Sequence, residues 1–278
     1  MRIGAIDVHP LIDGVGREFA GEIISRFSDP DAWRAHPEAF GHDGRWEFPV
    51  GGFLVRAGAR VIVVDAGVGP MDDGDYAGGG LIDRLADHGV SPRSVTDVVF
   101  THLHFDHIGW ASVDGIPTFP GAVHRVHRAD WAHFVEGPGA RADVLEKLRP
   151  IEPLLERFDA DVELVDGVAL RWMPGHTPGS TVVELSSEGS RALLLGDVVH
   201  SPVQLAERDW TVVWDRDPLA ASSARNRLAD EAAARGDLVV AAHLPGQRFG
   251  RIVVEDGARR FVPLEPEPPR AQPSPGRP

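Results

Sequence analysis

The chain has 278 residues, of which 42 are acidic and 28 basic, giving a formal net charge of −14 at neutral pH. This length can bury a sizeable core, and so negative a charge disfavours nucleic acid and anionic membrane surfaces as partners. The sequence has no cysteine, which excludes disulfides, thiolate metal ligands and a cysteine nucleophile. A bound metal would therefore need nitrogen and oxygen ligands, which draws attention to the 13 histidines.

No stretch near the N-terminus has the apolar length of a secretory signal, and no aliphatic run approaches the roughly 20 residues that span a bilayer. We therefore expect a cytoplasmic protein. The last fourteen residues, 265–278, contain six prolines and no large apolar side chain. This composition predicts a disordered Pro-rich tail, and we expect a single domain over residues 1–264.

Strand and helix patterns alternate along the chain. A hairpin is predicted over residues 51–66 with its turn near Gly58, and a helix over 81–86 with a stop at Gly89. The glycine-rich segment 69–80 is interpreted as a mobile loop, because it lacks the lysine of a phosphate-binding loop. The later elements are strands over 97–100 and 122–126, helices over 128–135 and 141–158, strands over 162–172, 181–185 and 191–195, a helix over 217–235, a strand over 238–242 and a hairpin over 250–264. This mixture predicts sheets with helices packed outside them.

The most informative segment is THLHFDHIGW at residues 101–110, directly after a predicted strand. In an extended backbone His102 and His104 point to the same side, because side chains alternate along a strand. If a helix starts after Phe105, Asp106 lies at or near its N-cap and His107 opens its first turn. Chance seldom produces this H-x-H-x-D-H pattern, so ordinary surface or core histidines are the less favoured interpretation.

Three further segments carry a histidine or an aspartate next to a predicted strand. His176 lies in the turn MPGHTPGS between two strands, Asp197 follows the apolar run ALLLG, and His243 follows VVAA. Taken singly, each is compatible with a surface residue, a turn residue or a helix cap. Together with the donors at 102–107 they amount to five histidines and two aspartates, which indicates a site assembled at one edge of a sheet.

These segments, with the Asp65-Ala66-Gly67 turn, resemble the metallo-β-lactamase-fold hydrolases over roughly residues 50–250. The resemblance implies an α+β fold, an αββα sandwich of two mixed sheets with helices outside, and a two-metal site at one edge. It also implies the ligands: one metal would be held by His102, His104 and His176, the second by Asp106, His107 and His243, with Asp197 bridging them and Asp65 orienting a ligand imidazole. A donor set without sulfur suits Zn²⁺, with Mn²⁺, Fe²⁺ or Co²⁺ as alternatives.

Two cations roughly 3.5–4 Å apart lower the pKa of a bridging water and polarise a carbonyl or phosphoryl oxygen. We therefore expect a hydrolase that uses a bridging hydroxide, with Asp106 or a nearby group passing the proton to the leaving oxygen. The segments look most like the lactonase and aryl-phosphotriesterase branch, which implies a small-molecule lactone, ester or phosphotriester as substrate. The alternatives are a thioesterase or β-lactamase-type hydrolase, an iron-binding redox or sulfur-handling enzyme of the same fold, and a scaffold that has lost activity.

Two positions depart from the acyl-homoserine lactonase pattern. Ser180 stands where those lactonases often have a second histidine, and His200 stands near the position of their catalytic tyrosine. His200 is therefore a candidate catalytic proton donor or substrate contact, with an ordinary loop histidine as the alternative. The only tyrosine is Tyr76, whose part in catalysis the sequence leaves open.

Large aromatic residues cluster in the N-terminal part of the chain and flank the predicted metal segments. They are Trp33, Phe40, Trp46, Phe48, Trp110, Trp210 and Trp214. Two interpretations stay open: they line a pocket for an apolar or aromatic substrate, or they fill the core. Exposed tryptophans near the N-terminus would also be compatible with a homodimer.

Overall fold

The computed structural model describes residues 1–137 and 139–265. Its strands are β1 (Arg2–Ile3), β2 (Ile6–Phe19), β3 (Ile24–Arg26), β4 (Arg45–Ala57), β5 (Arg60–Val64), β6 (Tyr76–Ala77), β7 (Asp97–Val99), β8 (Ser112–Val113), β9 (Ile116–Pro117), β10 (Val123–His127), β11 (Leu155–Phe158), β12 (Val162–Val165), β13 (Val168–Trp172), β14 (Thr181–Ser187), β15 (Ser190–Leu194), β16 (Trp210–Val212), β17 (Leu238–Val240), β18 (Gly250–Glu255) and β19 (Ala258–Pro263). Its α-helices are α1 (Ala20–Ile23), α2 (Pro37–Phe40), α3 (Leu81–Asp87), α4 (Phe105–Ile108), α5 (Arg128–Phe134), α6 (Ala142–Leu148), α7 (Pro202–Ala206) and α8 (Pro218–Arg235). Within these residues, no helix has both the length and the apolar character needed to cross a membrane.

Two mixed sheets carry the fold. The first has eight strands in the order β1-β2-β4-β5-β7-β10-β11, with β6 paired to β2, and the second has seven in the order β12-β13-β14-β15-β17-β18-β19. Strands β5, β7, β10 and β11 run parallel in the first sheet, and β15 and β17 run parallel in the second. The carboxyl ends of parallel strands meet at one edge of a sheet, so each sheet presents the residues that follow these strands at such an edge.

The two sheets pack face to face and the helices cover their outer faces. In β5, Ile62 and Val64 face the second sheet, while Val63 between them packs under the helices of the first sheet. Strands β15 and β17 alternate in the same way, as expected for side chains with a period of two. Helices α3, α5 and α6 cover the first sheet, and α7 and α8 cover the second. The expected αββα sandwich is thereby confirmed.

Most predicted elements are confirmed, including both hairpins and the long helix α8. The helix predicted over 141–158 is wrong beyond Leu148, where α6 ends. Pro150 and Pro153 have no backbone N–H to donate, so the chain tightens into a 3₁₀ turn at Arg149–Leu154 and then forms β11. The tail predicted at 265–278 lies, apart from Glu265, outside the described residues, and the domain bounds 1–264 remain a prediction.

The long N-terminal strand β2 is absent from the sequence prediction. It pairs with β4 along most of its length, and a register shift lies at Asp13. The Asp13 carboxylate accepts hydrogen bonds from the backbone nitrogens of Gly69 (2.9 Å), Gly79 (3.1 Å) and Leu81 (2.9 Å). The segment 69–80, interpreted as a mobile loop, is therefore tied to β2 at both ends and contributes the short strand β6.

The N-terminal aromatic residues belong to the core. Those that share one buried cluster are Trp33, Phe40, Trp46, Phe48 and Trp210. Trp110 and Trp214 are half-buried, and they pack at the margins of two different clusters. Because Trp33 and Trp46 are buried within their own chain, they supply no argument for the homodimer considered above.

Candidate metal centre

The candidate ligands come from the ends of strands in both sheets. His102 and His104 follow β7, Asp197 lies in the 3₁₀ turn after β15, and His243 follows β17. His176 lies in the connection between β13 and β14. Helix α4 has His104 as its N-cap, so Asp106 and His107 both lie in its first turn and Asp106 is not itself the cap. The fold brings all seven candidates together.

Three histidines form the first cluster. The Nδ1 atom of His104 lies 3.0 Å from Nε2 of His102 and 3.0 Å from Nε2 of His176. The Oδ2 atom of Asp197 lies 3.6 Å from the same two Nε2 atoms. The Nδ1 atom of His104 has a single lone pair and cannot accept good hydrogen bonds from both Nε2 atoms. A cation shared by these atoms would satisfy all of them at once. We conclude that this donor set fits a metal ion.

Asp106, His107 and His243 form the second cluster on the other side of Asp197. The Oδ1 atom of Asp197 lies 3.3 Å from Nε2 of both His107 and His243. Asp106 Oδ2 lies 3.4 Å from His243 Nε2 and 3.7 Å from His107 Nε2. Among the described residues, the buried atoms His107 Nε2 and Asp197 Oδ1 have no hydrogen-bond partner. Buried polar atoms are seldom left unpaired, so these two also fit a cation.

The two clusters differ in their electrostatics. Burial, together with neighbouring imidazoles, lowers the pKa of His102 and of His104 well below the usual histidine range. Burial also opposes protonation of His107, but the carboxylates of Asp197, Asp106 and Asp65 outweigh it and raise its pKa well above that range. Neutral imidazole is the form that binds metal ions. His102 and His104 are therefore already neutral at pH 7, whereas His107 must release a proton to become a ligand.

The family model of the metallo-beta-lactamase superfamily matches residues 46–243, a stretch that includes all seven candidate ligands. The chain belongs to this superfamily. Metallo-beta-lactamase domain-containing protein 1 of Mus musculus is 31% identical over 192 residues, which cover 67% of this chain and 64% of that protein. An N-acyl homoserine lactonase of Bacillus cereus is 25% identical over 164 residues, which cover 53% of this chain and 62% of the lactonase. The chain thus spans less than two thirds of the length of these curated relatives.

Solved structures share the fold over nearly the whole chain. The hydrolase AbOPH of the beta lactamase superfamily superposes with a TM-score of 0.84 at 23% identity, covering 96% of this chain and 97% of its own. AidC, a dizinc quorum-quenching lactonase in complex with a product, superposes with a TM-score of 0.84 at 21% identity and the same coverage, 96% and 97%. At these identities the likeness establishes a common fold.

In this member of the metallo-beta-lactamase superfamily, the ring nitrogens of three candidate ligands that face away from the clusters also have partners. His107 Nδ1 lies 2.9 Å from Asp65 Oδ2, and His176 Nδ1 lies 3.0 Å from Asp215 Oδ1. His243 Nδ1 lies 2.9 Å from the carbonyl oxygen of Pro49. Such partners fix the tautomer and the orientation of a ligand imidazole. Asp65 is where the sequence predicts it, whereas Asp215 and Pro49 were not anticipated.

Backbone geometry brings the ligand-bearing turns into close contact. Asp65 has a φ of 60°, a left-handed conformation that is uncommon for aspartate, and it accepts hydrogen bonds from Thr101 N and Oγ1, both at 2.7 Å. Gly196, with a φ of 52°, precedes Asp197, and a Cβ at this position would lie 2.6 Å from Thr101 Oγ1. Only glycine allows the Asp197 turn to approach this closely.

His200 lies beside the clusters and is buried. Its Nε2 atom is 3.2 Å from Asp197 Oδ2, and its ring stacks on that of His243 at 5.7 Å and 13°. Within the described part of the chain, neither ring nitrogen of His200 has a hydrogen-bond partner. Burial lowers the pKa of His200, which favours the neutral ring. His200 is therefore a buried residue beside the clusters, and its part in catalysis remains a prediction.

Ser180 and Tyr76 are placed differently from His200. The Ser180 Oγ accepts a hydrogen bond of 2.8 Å from the Thr177 backbone nitrogen, so this side chain shapes the loop that carries His176. The Tyr76 hydroxyl donates to Glu18 Oε1 at 3.0 Å, and its ring packs edge-on against Phe105. Tyr76 is therefore part of the wall beside the centre, with its hydroxyl engaged elsewhere.

Two adjoining cavities lead to the centre. The inner cavity has a volume of about 140 Å³ and is lined by Tyr76, His104, Phe105, Asp106, Arg141, Asp197 and Trp214. The outer cavity, of about 370 Å³, shares Tyr76, Phe105 and Arg141 with it and adds Val68, Met71 and Ile108 among its apolar walls. The charged residues of the outer cavity are Glu18, Asp73, Asp75, Arg141, Asp143 and Lys147. Apolar walls and an excess of carboxylates thus surround the approach to Asp106 and Asp197.

Asp130 connects two of the ligand-bearing segments. This buried carboxylate accepts hydrogen bonds from Leu103 N (3.2 Å), Thr177 Oγ1 (2.9 Å) and Gly179 N (2.6 Å). In Asp130→Asn the amide NH₂ would face one of these donors, so we expect a loss of about 1–3 kcal/mol in the free energy of unfolding at pH 8. Chemical denaturation of both proteins without metal measures this difference.

The cost of Asp130→Asn should also depend on pH. Burial raises the pKa of the Asp130 carboxyl to about 6, although the hydrogen bonds from Gly179 and Thr177 oppose this. Because the folded-state pKa exceeds the unfolded one, protonation of this group stabilises the fold at low pH, and that contribution is lost as the pH rises through about 6. The loss caused by Asp130→Asn should therefore be about 1 kcal/mol larger at pH 5 than at pH 8. A cost that stays constant or shrinks at pH 5 would contradict this assignment.

Proposed function

We propose that this chain is a dinuclear-metal hydrolase that acts on small uncharged molecules with an ester, lactone or phosphotriester bond. One observation carries the proposal: the two oxygens of Asp197 face two separate donor clusters, 3.6 Å from His102 and His176 on one side and 3.3 Å from His107 and His243 on the other. A single carboxylate between two clusters is the arrangement expected of a bridging ligand.

The donor set supports two divalent ions, and Zn²⁺ is our first choice because every donor is imidazole nitrogen or carboxylate oxygen. His102, His104 and His176 would hold one ion, and Asp106, His107 and His243 the other, with Asp197 shared. When bound, such a pair supplies an activated water and a Lewis acid for the carbonyl or phosphoryl oxygen. The N-acyl homoserine lactonase relative and the dizinc lactonase AidC favour this assignment.

Side chains of the protein would accept the proton and stabilise the developing charge. Asp106 lines the inner cavity, so its carboxylate can hold an ion and also accept a proton beside the substrate. His200 lies 3.2 Å from Asp197 with both ring nitrogens unpaired among the described residues, and it can donate a hydrogen bond to an oxygen that gains charge. Both groups are therefore proposed as catalytic residues.

The cavities favour an uncharged and partly apolar substrate. Phe105 and Trp214 face the inner cavity, and Val68 and Met71 face the outer one. Of the two basic groups at the outer cavity, Arg141 is paired with Asp143 at 2.7 Å. Carboxylates therefore dominate the field along this approach, and an anionic substrate would be repelled. Lactones, aryl esters and phosphotriesters carry no charge, whereas common β-lactams carry a carboxylate.

Metal analysis and a substrate panel test the proposal. We expect two zinc-like ions per chain, loss of turnover after chelation and recovery when Zn²⁺ is returned. Among lactones, aryl esters, phosphotriesters, thioesters and β-lactams, the uncharged compounds should have kcat/KM values at least about tenfold above those of carboxylate-bearing β-lactams, and added salt should narrow this gap. A single iron per chain with a coloured protein would favour the redox alternative, and a preference for anionic β-lactams would contradict the proposed substrate class.

A further inference from the structure

A buried arginine lies directly behind the first cluster. Arg225, on the inner face of α8, is only 2% exposed. Its Nε donates to the carbonyl oxygen of Val198 at 2.6 Å, and its Nη1 donates to that of Trp210 at 2.5 Å. Its Nη2 lies 3.5 Å from Asp215 Oδ2. A guanidinium is planar and carries fixed donor directions, so these three contacts define the relative positions of three chain segments.

Two of these three partners adjoin or contact a candidate ligand. Val198 directly follows Asp197 in the 3₁₀ turn Gly196–Val198. Asp215 holds Nδ1 of His176 with one oxygen, and its other oxygen accepts the backbone N–H of Val212 at 3.1 Å. Arg225 therefore contacts the supports of both Asp197 and His176 through one rigid group.

The second cluster has supports that do not involve Arg225. His107 is held by Asp65, and His243 by the carbonyl of Pro49. Both supports come from the first sheet: Pro49 lies in β4 and Asp65 directly follows β5. Arg225 reaches the shared ligand Asp197 only through the Val198 carbonyl, whereas it reaches His176 through Asp215. A change at Arg225 should consequently act mainly on the first cluster, because His107 and His243 keep their own supports.

We infer that Arg225 is a positioning residue that sets the affinity of the ion held by His102, His104 and His176, with little influence on the ion held by Asp106, His107 and His243. The inference rests on the proposed dinuclear function. It assigns α8 a role at the centre although no residue of this helix is a candidate ligand. Outer partners of metal ligands typically change metal affinity 10–100-fold when they are removed.

The test follows the stepwise removal of Zn²⁺ or Co²⁺ from the full chain by a competing chelator. Wild type should release two ions in two steps. Arg225→Met should weaken one step about 10–100-fold and leave the other unchanged, and Arg225→Lys, which keeps the charge but loses the planar fork, should weaken the same step less. Asp215→Asn should weaken this same step.

Arg259→Met is the matched control. Arg259 is also a buried arginine that anchors α8, through the Asn226 side chain at 2.7 Å and Asp230 at 3.2 Å, but it contacts neither cluster nor its supports. The Arg259→Met variant should have a lower free energy of unfolding, with both chelation steps unchanged. Effects of Arg225→Met and Asp215→Asn should be non-additive, because both act through His176.

Three outcomes would overturn the inference: equal weakening of both steps in the Arg225 variants, the same curves for Arg225→Met and Arg259→Met, or additivity of Arg225→Met with Asp215→Asn. If wild type shows two steps and hydrolyses neutral esters, these outcomes leave the proposed function standing. A wild-type chain that takes up no divalent ion would instead refute the proposed function and the inference together.

Discussion

Asp197→Asn should lower kcat/KM for an uncharged ester at least about 10³-fold and should release at least one of the two ions, because the two carboxylate oxygens of Asp197 face one cluster each. Although burial opposes its ionisation, the imidazoles of His107 and His243 hold the pKa of Asp197 well below its usual range, so the wild-type group is a carboxylate at neutral pH. Asparagine keeps one oxygen, loses the charge and turns an NH₂ donor toward one cluster. The two cations would then have one anion fewer to offset their mutual repulsion.

Metal content per chain and kcat/KM should be measured on the same preparations. Asp237→Asn is a suitable control, because Asp237 is also a buried aspartate but directly precedes β17, whereas His243 follows this strand, and it pairs with Arg191 at 3.3 Å. It should keep both ions and its activity. Full metal content together with near wild-type turnover in Asp197→Asn would exclude a bridging role for this residue.

The candidate ligands could be identified from the sequence because their signals are local. Four of the seven lie within residues 102–107, and the other three follow or interrupt apolar strand runs. Strand ends, caps and glycine turns are likewise indicated by neighbouring residues, so α8 and the C-terminal hairpin have nearly the predicted bounds. The first hairpin begins at Arg45, earlier than the predicted residue 51. The sequence also identifies His200 as a candidate, because this residue lies only three positions after the predicted ligand Asp197.

The supporting residues have no such local signal. Asp215 is 39 residues from His176, Asp130 is 47 residues from Thr177, and Asp13 is 97 residues from the Trp110 indole that donates to it at 2.8 Å. An isolated aspartate in a strand or loop is usually a cap or a surface residue, and only the tertiary fold reveals what it binds. Strand β2 was missed for a related reason: Pro10, Gly14 and Gly16 interrupt it, and pairing with β4 overrides their low strand propensity.

His200→Phe should lower kcat by about 10²-fold while both ions stay bound, because phenylalanine keeps the buried ring but has no nitrogen to donate to the substrate oxygen. The ring of His200 contacts those of His176 at 4.9 Å, Trp214 at 5.9 Å and His243 at 5.7 Å, so a ring of similar size should preserve the packing around the centre. The measurements are kcat and KM on an aryl ester and a lactone, together with metal content. A loss confined to kcat would mark an interaction made in the transition state.

His200→Tyr provides a sharper comparison, because it places a hydroxyl donor on a ring at the same buried position. We expect the kcat of His200→Tyr to be at least about tenfold above that of His200→Phe, because a phenol can donate the same hydrogen bond. The gain should be larger on lactones. Loss of an ion in His200→Phe would instead make His200 a metal ligand. Unchanged kcat in His200→Phe would show that the His200 ring only packs against its neighbours. Asp106, which lines the inner cavity, would then remain as the candidate proton-transfer group.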